Sequence, residues 1–249
     1  MSVINGQSGL FSILSTVDSS NNYATGQVHA GLAKHGQTWF ALEQTAGKGQ
    51  RGKTWISAPG ENLMMSIAIR PGKAFAKEPF LLSMLTANIC REILAEISEE
   101  KILIKWPNDL YWRDRKTGGI LIENIYKGQI LEWSVIGIGI NINQTDFGKE
   151  AGGACSLKQI CGKENDPVAV AKLLWERLLE KIDQPGQIEK IPEEYNLHLY
   201  KSGEKVKLKK ENAVFETTVT GVNIYGQLLT EDSMERSFEV GEVIWQIPG

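Results

Sequence analysis

A glycine-rich, basic segment at residues 47–55, Gly-Lys-Gly-Gln-Arg-Gly-Lys-Thr-Trp, constrains the possible folds more than any other part of this sequence. It matches two phosphate-binding patterns literally, G-x-x-x-x-G-K-[ST] and G-x-G-x-x-G. Both patterns work only if a helix follows at once, because the helix N-terminus holds the phosphate. Here the breaker run Ser-Ala-Pro-Gly at residues 57–60 follows, and residues 63–69 then read as a strand. The sequence therefore argues against a P-loop or a dinucleotide-binding fold.

The same segment has the composition of an anion-binding loop. Its three glycines let the backbone approach a ligand closely, and Lys48, Arg51 and Lys53 bring three cations together. The whole chain has a formal net charge of -3, so this cluster departs from the overall composition, and phosphate is the anion that best accounts for it. We expect a basic lid that closes over a phosphate-bearing ligand. The alternative is a solvated hairpin loop.

The first two hundred residues mix strand and helix patterns without regular alternation, which predicts an α+β fold. Residues 79–97 form the clearest helix, with a proline at the first turn and an apolar stripe at three- and four-residue spacing. Asp18 or Ser19 is expected to cap an earlier helix that runs to about Lys34. The other predicted helices cover 167–182, capped by Asp166, and 189–200, and the predicted strands cover 10–16, 38–43, 63–70, 101–105, 118–126 and 129–142.

Short alternating strands dominate the sequence after residue 202. They cover residues 205–209, 214–221, 227–230 and 237–245, at close intervals. This pattern predicts a small barrel packed on the main domain. We therefore predict two domains, a mixed domain at residues 1–201 and a small β-barrel at residues 202–249.

Composition limits the class of protein. Hydrophobic residues make up 42% and charged residues 23% of the chain, as in an ordinary globular protein. The acidic balance argues against a nucleic-acid partner, and no apolar run is long enough to cross a membrane. Residues 1–15 lack the features of an export signal, and the three cysteines show no C-x-x-C spacing. We therefore expect a cytoplasmic protein with free thiols, no zinc site, and neither a nucleic-acid nor a membrane partner.

A second polar cluster, Lys105-Trp106-Pro107-Asn108-Asp109, ends a short buried strand. A lysine at such a place is costly unless an anion or carboxylate meets it, so Lys105 is a candidate ligand-binding residue. Asn108 and Asp109 offer an amide and a carboxylate side by side, which suit a ribose, an amide or a hydrated magnesium ion. The alternative is a capped turn without a ligand.

Glycines accompany further polar residues. Lys116 precedes Gly118 and Gly119, where the backbone can pass close to a flat ring, and the strand Gly137-Ile-Gly-Ile-Asn141 repeats that pattern. The polar run at residues 19–22 lies at a predicted helix N-terminus, where it caps the helix or also binds a polar ligand group. The sequence offers no candidate Ser-His-Asp set and no metal-binding cluster. We therefore expect positioning and charge stabilisation rather than nucleophilic catalysis.

Taken in order, these motifs resemble those of the biotin protein ligases, also called biotin–[acetyl-CoA-carboxylase] ligases. The resemblance extends over nearly the whole chain. It implies a catalytic domain of the class II aminoacyl-tRNA-synthetase-like, biotin/lipoate ligase type, which is a mixed sheet flanked by helices, followed by an SH3-like barrel. It is carried by the polar run 19–22, Glu43-Gln44 with the glycine-rich loop to Trp55, Lys-Trp-Pro-Asn-Asp, Lys116-x-x-Gly-Ile-Leu and Gly137-x-Gly-x-Asn141.

The resemblance also implies a two-step reaction. Biotin and MgATP give biotinyl-5'-AMP and pyrophosphate, and a lysine amine of a biotin carboxyl carrier domain then attacks the acyl carbon and releases AMP. Cations would offset the repulsion between carboxylate and phosphate, by about 4 kcal/mol for one charge pair at about 4 Å and an effective dielectric near 20. Magnesium is then the expected cofactor, with biotin and ATP as substrates.

Family position assigns a role to each matching residue. Lys116, Lys48 and Arg51 would supply catalytic charge, and Asp109 would bind magnesium. The residues for biotin would be Ser19, Ser20, Asn21, Gln44, Gly47, Lys48, Lys116 and Gly119. The residues for ATP or the adenylate would be Lys53, Trp55, Lys105, Asn108, Asp109 and Asn141.

Two departures from the family pattern affect these expectations. Family members commonly carry arginine at the position of Gln50, and often at that of Lys48; retention of the intermediate is therefore expected to depend on Lys48, Arg51 and Lys53. The sequence also lacks residues for the helix-turn-helix of members that act as operon repressors, so we expect an enzyme only, monomeric or homodimeric. Two alternatives stay open, namely a lipoate-protein ligase and a non-catalytic sensor of biotin or nucleotide.

Overall fold

The structure of the protein, a computed structural model, describes residues 3–5, 9–148 and 153–246, with only the backbone given for 3–5. None of the helices in these ranges is both long and apolar enough to cross a membrane. The helices are α1 (Ser20–His29), α2 (Lys73–Lys77), α3 (Phe80–Ser98), α4 (Leu157–Cys161), α5 (Pro167–Asp183) and α6 (Lys190–Leu197). The strands are β1 (Val3–Asn5), β2 (Phe11–Val17), β3 (Gln37–Gln44), β4 (Leu63–Ile69), β5 (Ile102–Lys105), β6 (Asp109–Trp112), β7 (Arg115–Lys127), β8 (Ile130–Ile140), β9 (Lys205–Lys210), β10 (Ala213–Val222), β11 (Leu228–Glu231), β12 (Glu235–Phe238) and β13 (Ile244–Gln246).

Strands β1 to β8 form one mixed sheet in the order β1-β2-β3-β4-β8-β7-β6-β5. β2 and β3 are parallel, whereas the other neighbouring pairs are antiparallel. A parallel pair needs a crossover connection, and α1 supplies it. As a result β2 and β3 end at the same edge of the sheet, and the start of α1 lies beside the end of β3.

Helices cover both faces of this sheet. α1 packs on one face against β3, β4 and β8, and α3 and α5 pack on the other. All seven residues of β4 are buried for that reason, and so are residues 38–41 of β3. The sequence predicted a strand at 38–43. Residues 38–41 do not alternate between buried and exposed positions, because a strand covered on both faces has no solvent side.

Strands β9 to β13 form a second, antiparallel sheet in the order β12-β11-β10-β9-β13. The sequence predicted one strand over residues 237–245, and this prediction was wrong. Two strands, β12 and β13, are separated there by a turn in which Glu242 N donates to Glu239 O at 3.0 Å and Gly241 has a φ of +85°. A left-handed residue inside a strand interrupts its pairing, so the chain turns at this glycine.

The two sheets share one hydrophobic core. Leu208 and Phe238 of the second sheet belong to the same buried cluster as the apolar faces of α3 and α5. The mixed α+β architecture with a small C-terminal β sheet confirms the predicted fold class. The division after residue 201 stays a prediction, and its outer limits, residues 1 and 249, lie outside the described residues.

Several local elements differ from the sequence-based expectation. α1 ends at His29 and not near Lys34, because Gly31 adopts a left-handed conformation with a φ of +71°. Ser19 occupies the N-cap position of α1, but its side chain makes no capping hydrogen bond. The elements α2, α4 and β6 are not predicted at all, since four or five residues are too few for periodicity to show.

We expect Asp166→Ala to lower the free energy of unfolding by about 1 kcal/mol. Asp166 is the predicted N-cap of α5, and its carboxylate accepts a hydrogen bond from Val168 N at 2.9 Å. Urea denaturation measures the change, with Glu176→Ala on the exposed side of the same helix as the control. Equal losses in both variants would show that the cap contributes nothing specific.

Candidate functional site

A cavity of about 520 Å³ lies between the large sheet, the glycine-rich loop and the start of β13. Segments far apart in the sequence converge on it. Gly47 and Asn141 are the two predicted site residues that do not line it. The predicted residues that do are Ser19, Ser20, Asn21, Gln44, Lys48, Arg51, Lys53, Trp55, Lys105, Asn108, Asp109, Lys116 and Gly119.

One end of the cavity is built from buried, uncharged polar groups. Ser20 N, at the start of α1, donates to Gln44 Oε1, at the end of β3, at 2.7 Å. The hydroxyl of Ser66 in β4 lies 2.8 Å from Ser20 Oγ and 2.6 Å from Asn21 Oδ1. These side chains thus bond to the sheet. Sequence reasoning missed Ser66, although a single serine in the apolar strand Leu-Met-Met-Ser-Ile-Ala-Ile was a usable signal.

Two glycines of β8 make room for this arrangement. A Cβ on Gly137 would overlap Asn21 Oδ1, and a Cβ on Gly139 would lie 2.8 Å from the ring of Trp55. The sequence predicted a close approach at these glycines. The groups that approach are side chains of the protein itself, so these glycines set the shape of the cavity wall.

The other end of the cavity carries lysines from β5 and β7. Lys116 Nζ lies 2.6 Å from Asp109 Oδ1. Lys105 Nζ donates to Tyr111 Oη at 3.2 Å and lies 5.7 Å from the ring centre of Trp245. Burial lowers the pKa of Lys105 to about 8; the Asp109 carboxylate opposes this shift, and neighbouring lysines add to it. Lys116 therefore pairs directly with the Asp109 carboxylate, and Lys105 lies close enough for that carboxylate to favour its charged form.

The glycine-rich loop folds as a hairpin over the cavity. Gly49 N donates to Lys53 O at 2.7 Å, and Trp55 N donates to Gly47 O at 2.9 Å. A Cβ on Gly47 would overlap the carbonyl oxygen of Trp55, so the hairpin itself requires this glycine. Gly47 lines a second, more open cavity behind the loop. A 3-10 turn at residues 50–52 leads on to β4, so no α-helix follows the glycines, as predicted.

Two predicted asparagines bond to the protein backbone. Asn108 Nδ2 donates to Ile120 O at the cavity wall. Asn141 is 4% exposed, and its Nδ2 donates to Cys155 O at 3.1 Å while its N donates to Thr117 O at 2.9 Å. Asn141 therefore holds the chain after β8 against β7 and lies outside the cavity.

The small sheet supplies a wall of the cavity that sequence reasoning missed. Val243, Ile244 and Trp245 line this wall, and the turn before β13 continues it. A Cβ on Gly241 in that turn would overlap the guanidinium of Arg51, so the basic loop packs directly on the second sheet. Trp245 has no sequence signal that separates it from a core aromatic of a short strand. Only the packing of the two sheets brings it to the cavity.

The cavity suits a ligand with uncharged polar groups at one end and negative charge at the other. The buried hydrogen-bonding groups of the cavity select the uncharged polar end of the ligand, and the lysines attract its negatively charged end. Among the residues that the structure describes, no three His, Cys, Asp or Glu side chains cluster as a metal site would require. The neutral polar groups at one end can position a reactant, and the lysines at the other end can offset its negative charge.

A protein-family model described as the biotin/lipoate A/B protein ligase family matches residues 14–141. The match covers about half of the chain and most of the large sheet. It includes the glycine-rich loop, the buried polar end of the cavity and both lysines of its charged end.

Individual proteins are similar over different lengths. The bifunctional ligase/repressor BirA of Escherichia coli K12 is 38% identical over 136 residues, which cover 54% of this chain and 41% of that protein. The biotin–[acetyl-CoA-carboxylase] ligase of Paracoccus denitrificans is 33% identical over 132 residues, which cover 52% of this chain and 53% of that protein. The matched part therefore spans about half or less of these relatives.

A solved structure is similar over nearly its whole length. The biotin protein ligase from Aquifex aeolicus in complex with biotin and ATP superposes with a TM-score of 0.79 at 26% sequence identity. The superposition covers 95% of this chain and 98% of that one, so it includes the small C-terminal sheet.

Proposed function

The chain belongs to the biotin/lipoate A/B protein ligase family, and on that basis we propose that it is an ATP-dependent biotin protein ligase. In the first step the biotin carboxylate attacks the α-phosphate of ATP. Pyrophosphate is released from ATP, and biotinyl-5'-AMP forms. In the second step a lysine amine of a biotin carboxyl carrier domain attacks the acyl carbon; an amide forms, AMP leaves and the amine loses a proton. Two similar proteins support this choice of reactants. The Aquifex ligase was solved in complex with biotin and ATP, and the Paracoccus protein is named as a ligase that acts on acetyl-CoA-carboxylase.

The observation that carries this proposal is the division of the cavity into a neutral polar end and a cationic end. Ser20, Asn21 and Gln44 offer hydrogen bonds to an uncharged ring, and Lys105 and Lys116 offer charge to phosphate. A carboxylate and a triphosphate repel each other on approach, and cations between them lower that repulsion most in a site that excludes water. The cavity thus supplies what formation of an acyl adenylate needs.

Residue roles follow from this geometry as proposals. Lys116 neutralises charge at the reacting phosphate. Lys48 and Arg51 add positive charge to the same phosphate from the glycine-rich loop that covers the cavity. Gly47 serves biotin by shaping the loop, and Asn141 serves the adenylate by fixing the chain beside β7 rather than by contact. Besides the side chains of the polar end, the proposed biotin contacts are Ser19 and Gly119. The remaining proposed ATP contacts are Lys53, Trp55, Lys105, Asn108 and Asp109.

Magnesium enters this reaction with ATP. Asp109 is the one carboxylate among the described residues that line the cavity. A single carboxylate suits Mg²⁺, which takes most of its other ligands from phosphate and water. Asp109 would hold the ion, and Lys116, which pairs with Asp109 in this structure, would then be free to turn its charge to the phosphate.

The setting of the enzyme is part of the same proposal. The acceptor is a biotin carboxyl carrier protein or domain, which reaches the cavity past the glycine-rich loop and the small sheet. We propose a cytoplasmic enzyme, monomeric or homodimeric, that acts without nucleic acid or membrane. We also propose a division into a catalytic domain at residues 1–201 and an SH3-like domain at residues 202–249.

Pyrophosphate release on mixing the protein with MgATP and biotin tests the proposal. Parallel reactions contain lipoate or octanoate in place of biotin. Release with biotin and retention of biotinyl-5'-AMP are expected. Pyrophosphate release with lipoate alone would make the chain a lipoate ligase. Binding of biotin or ATP without pyrophosphate release in the presence of any of these acids would make it a sensor.

We expect kcat/KM for MgATP to fall above about pH 8, approaching about tenfold per pH unit. Lys105 has its pKa lowered to about 8, so it is protonated and positive below that pH and neutral above it. A neutral lysine no longer attracts phosphate. Because arginine stays charged throughout this range, Lys105→Arg should remove the decline.

The matched control for this profile is Lys101→Arg, at an exposed lysine just before β5. This variant should keep the decline. Pyrophosphate release measured from about pH 6.5 to about pH 9.5 gives kcat/KM for all three proteins. A decline that persists in Lys105→Arg would assign the titration to another group.

A further inference from the structure

Glu123 of β7 connects the glycine-rich loop to the buried polar end of the cavity. Its Oε1 lies 3.6 Å from Lys48 Nζ, and its Oε2 accepts a hydrogen bond from Asn21 Nδ2 at 2.9 Å. We propose that Glu123 is a positioning residue, which fastens the loop to the sheet and orients Asn21, and so slows the escape of the bound acid and its adenylate. Glu123 lies outside the main cavity and lines the second one behind the loop, so it acts through its two partners.

The contact with Lys48 is the loop's single salt bridge in the part of the chain that the structure describes. The other two cations of the loop, Arg51 and Lys53, form none there. Three like charges on one short loop repel each other, and Glu123 of β7 neutralises part of that charge through its contact with Lys48. The side chains of Lys48 and Glu123 are 43% and 37% exposed, so the pair forms a weak and reversible anchor.

The contact with Asn21 sets the direction of a buried amide. Asn21 Nδ2 also lies 3.4 Å from Leu121 O, and its Oδ1 faces the hydroxyl of Ser66 at 2.6 Å. A carboxylate accepts hydrogen bonds and cannot donate them, so Glu123 holds the NH₂ group of Asn21 towards β7. The oxygen of the amide is thereby held in the polar network beside Ser20. One carboxylate thus couples the position of the loop to the order of the polar end.

The anchoring can be tested without any ligand, by limited trypsin digestion at Arg51 and Lys53. Glu123→Gln keeps an acceptor for Asn21 and removes the charge that holds Lys48. Cleavage in the loop should become about two- to fivefold faster, which is the range for loss of an exposed ion pair. Glu132→Gln, at an exposed glutamate of the neighbouring β8, is the matched control and should cleave like the unchanged protein.

A double-mutant cycle with Lys48→Gln separates pairing from packing. If Glu123 acts through Lys48, adding Glu123→Gln to Lys48→Gln should not accelerate cleavage further. An equal rate in Glu123→Gln and Glu132→Gln, or an undiminished effect in the Lys48→Gln background, would overturn the anchor.

The second measurement is the release of biotinyl-5'-AMP, and this half of the inference rests on the proposed function. Glu123→Gln should release the adenylate about two- to fivefold faster, while Glu132→Gln should not change the rate. Unchanged or slower release would overturn the effect on the ligand, and slower release would mean that Glu123 competes with the ligand for Lys48. If the unchanged protein forms no adenylate, the proposed function fails together with this half, whereas the digestion still decides the anchor.

Discussion

Lys116→Ala is expected to slow formation of biotinyl-5'-AMP by about 10²- to 10³-fold, the usual cost of removing a preorganised group that stabilises developing charge. The ammonium group of Lys116 lies in the cavity, 2.6 Å from Asp109 Oδ1 and 5.6 Å from the ring centre of Trp55. Its backbone is fixed as well, since Lys116 N donates to Gly153 O and Cys155 N donates to Lys116 O, each at 2.8 Å. The charge is therefore presented by a rigid strand. Single-turnover quench experiments with excess enzyme measure the rate.

Lys127→Ala is the matched control, because Lys127 ends the same strand at an exposed position away from the cavity. It should leave the rate unchanged. Asp109 loses its ion-pair partner in Lys116→Ala, so the thermal unfolding temperature of both variants is measured to check that the protein remains folded. A folded Lys116→Ala protein with the original single-turnover rate would refute the assigned role.

Gly137→Ala should raise the dissociation constant for biotin by about 10- to 100-fold, because a buried polar group left unpaired costs about 1–3 kcal/mol. The new Cβ would overlap Asn21 Oδ1. Asn21 has little freedom to retreat, since Ser66 and Glu123 bond to its two amide atoms and α1 packs on the sheet. The methyl group therefore breaks the polar network that we assign to biotin. Isothermal titration calorimetry with biotin measures the loss.

Gly26→Ala adds the same methyl group at a place where it meets nothing within 4 Å. Gly26 lies inside α1, in which alanine is the better helix former, so this variant should bind biotin normally and unfold slightly less readily. If both variants bind biotin equally well, the polar network at Asn21 takes no part in binding. A loss confined to Gly137→Ala supports the assignment.

Elements with strong local signals were predicted well. The helix at residues 79–97 corresponds to α3, and Asp166 caps α5 as expected. The breaker run after the glycine-rich loop correctly indicated that no helix follows. Predictions were wrong where one left-handed residue ends or divides a pattern, as Gly31 does after α1 and Gly241 does between β12 and β13.

The site was predictable in part for the same reason. Residue types that are unusual in their local context, such as Lys105 after a buried strand, could be identified from the sequence and do line the cavity. Asn141 had the same kind of signal, a polar residue at a strand end, but its amide bonds to Cys155 O. A strand end shows that a polar group needs a partner. It does not show whether that partner is a ligand or the backbone.

The sequence by itself determined the local elements, the basic glycine-rich loop and the class of fold, because periodicity, breakers and charge clusters act between residues close in the chain. The tertiary structure decided which distant groups meet. Asn21 and Glu123 are 102 residues apart and bond only because α1 packs over β8 and β7 lies next to that strand. Trp245 reaches the cavity only because the second sheet packs on the first. Strand order and sheet packing are set by the burial of the whole apolar surface, which no local pattern contains.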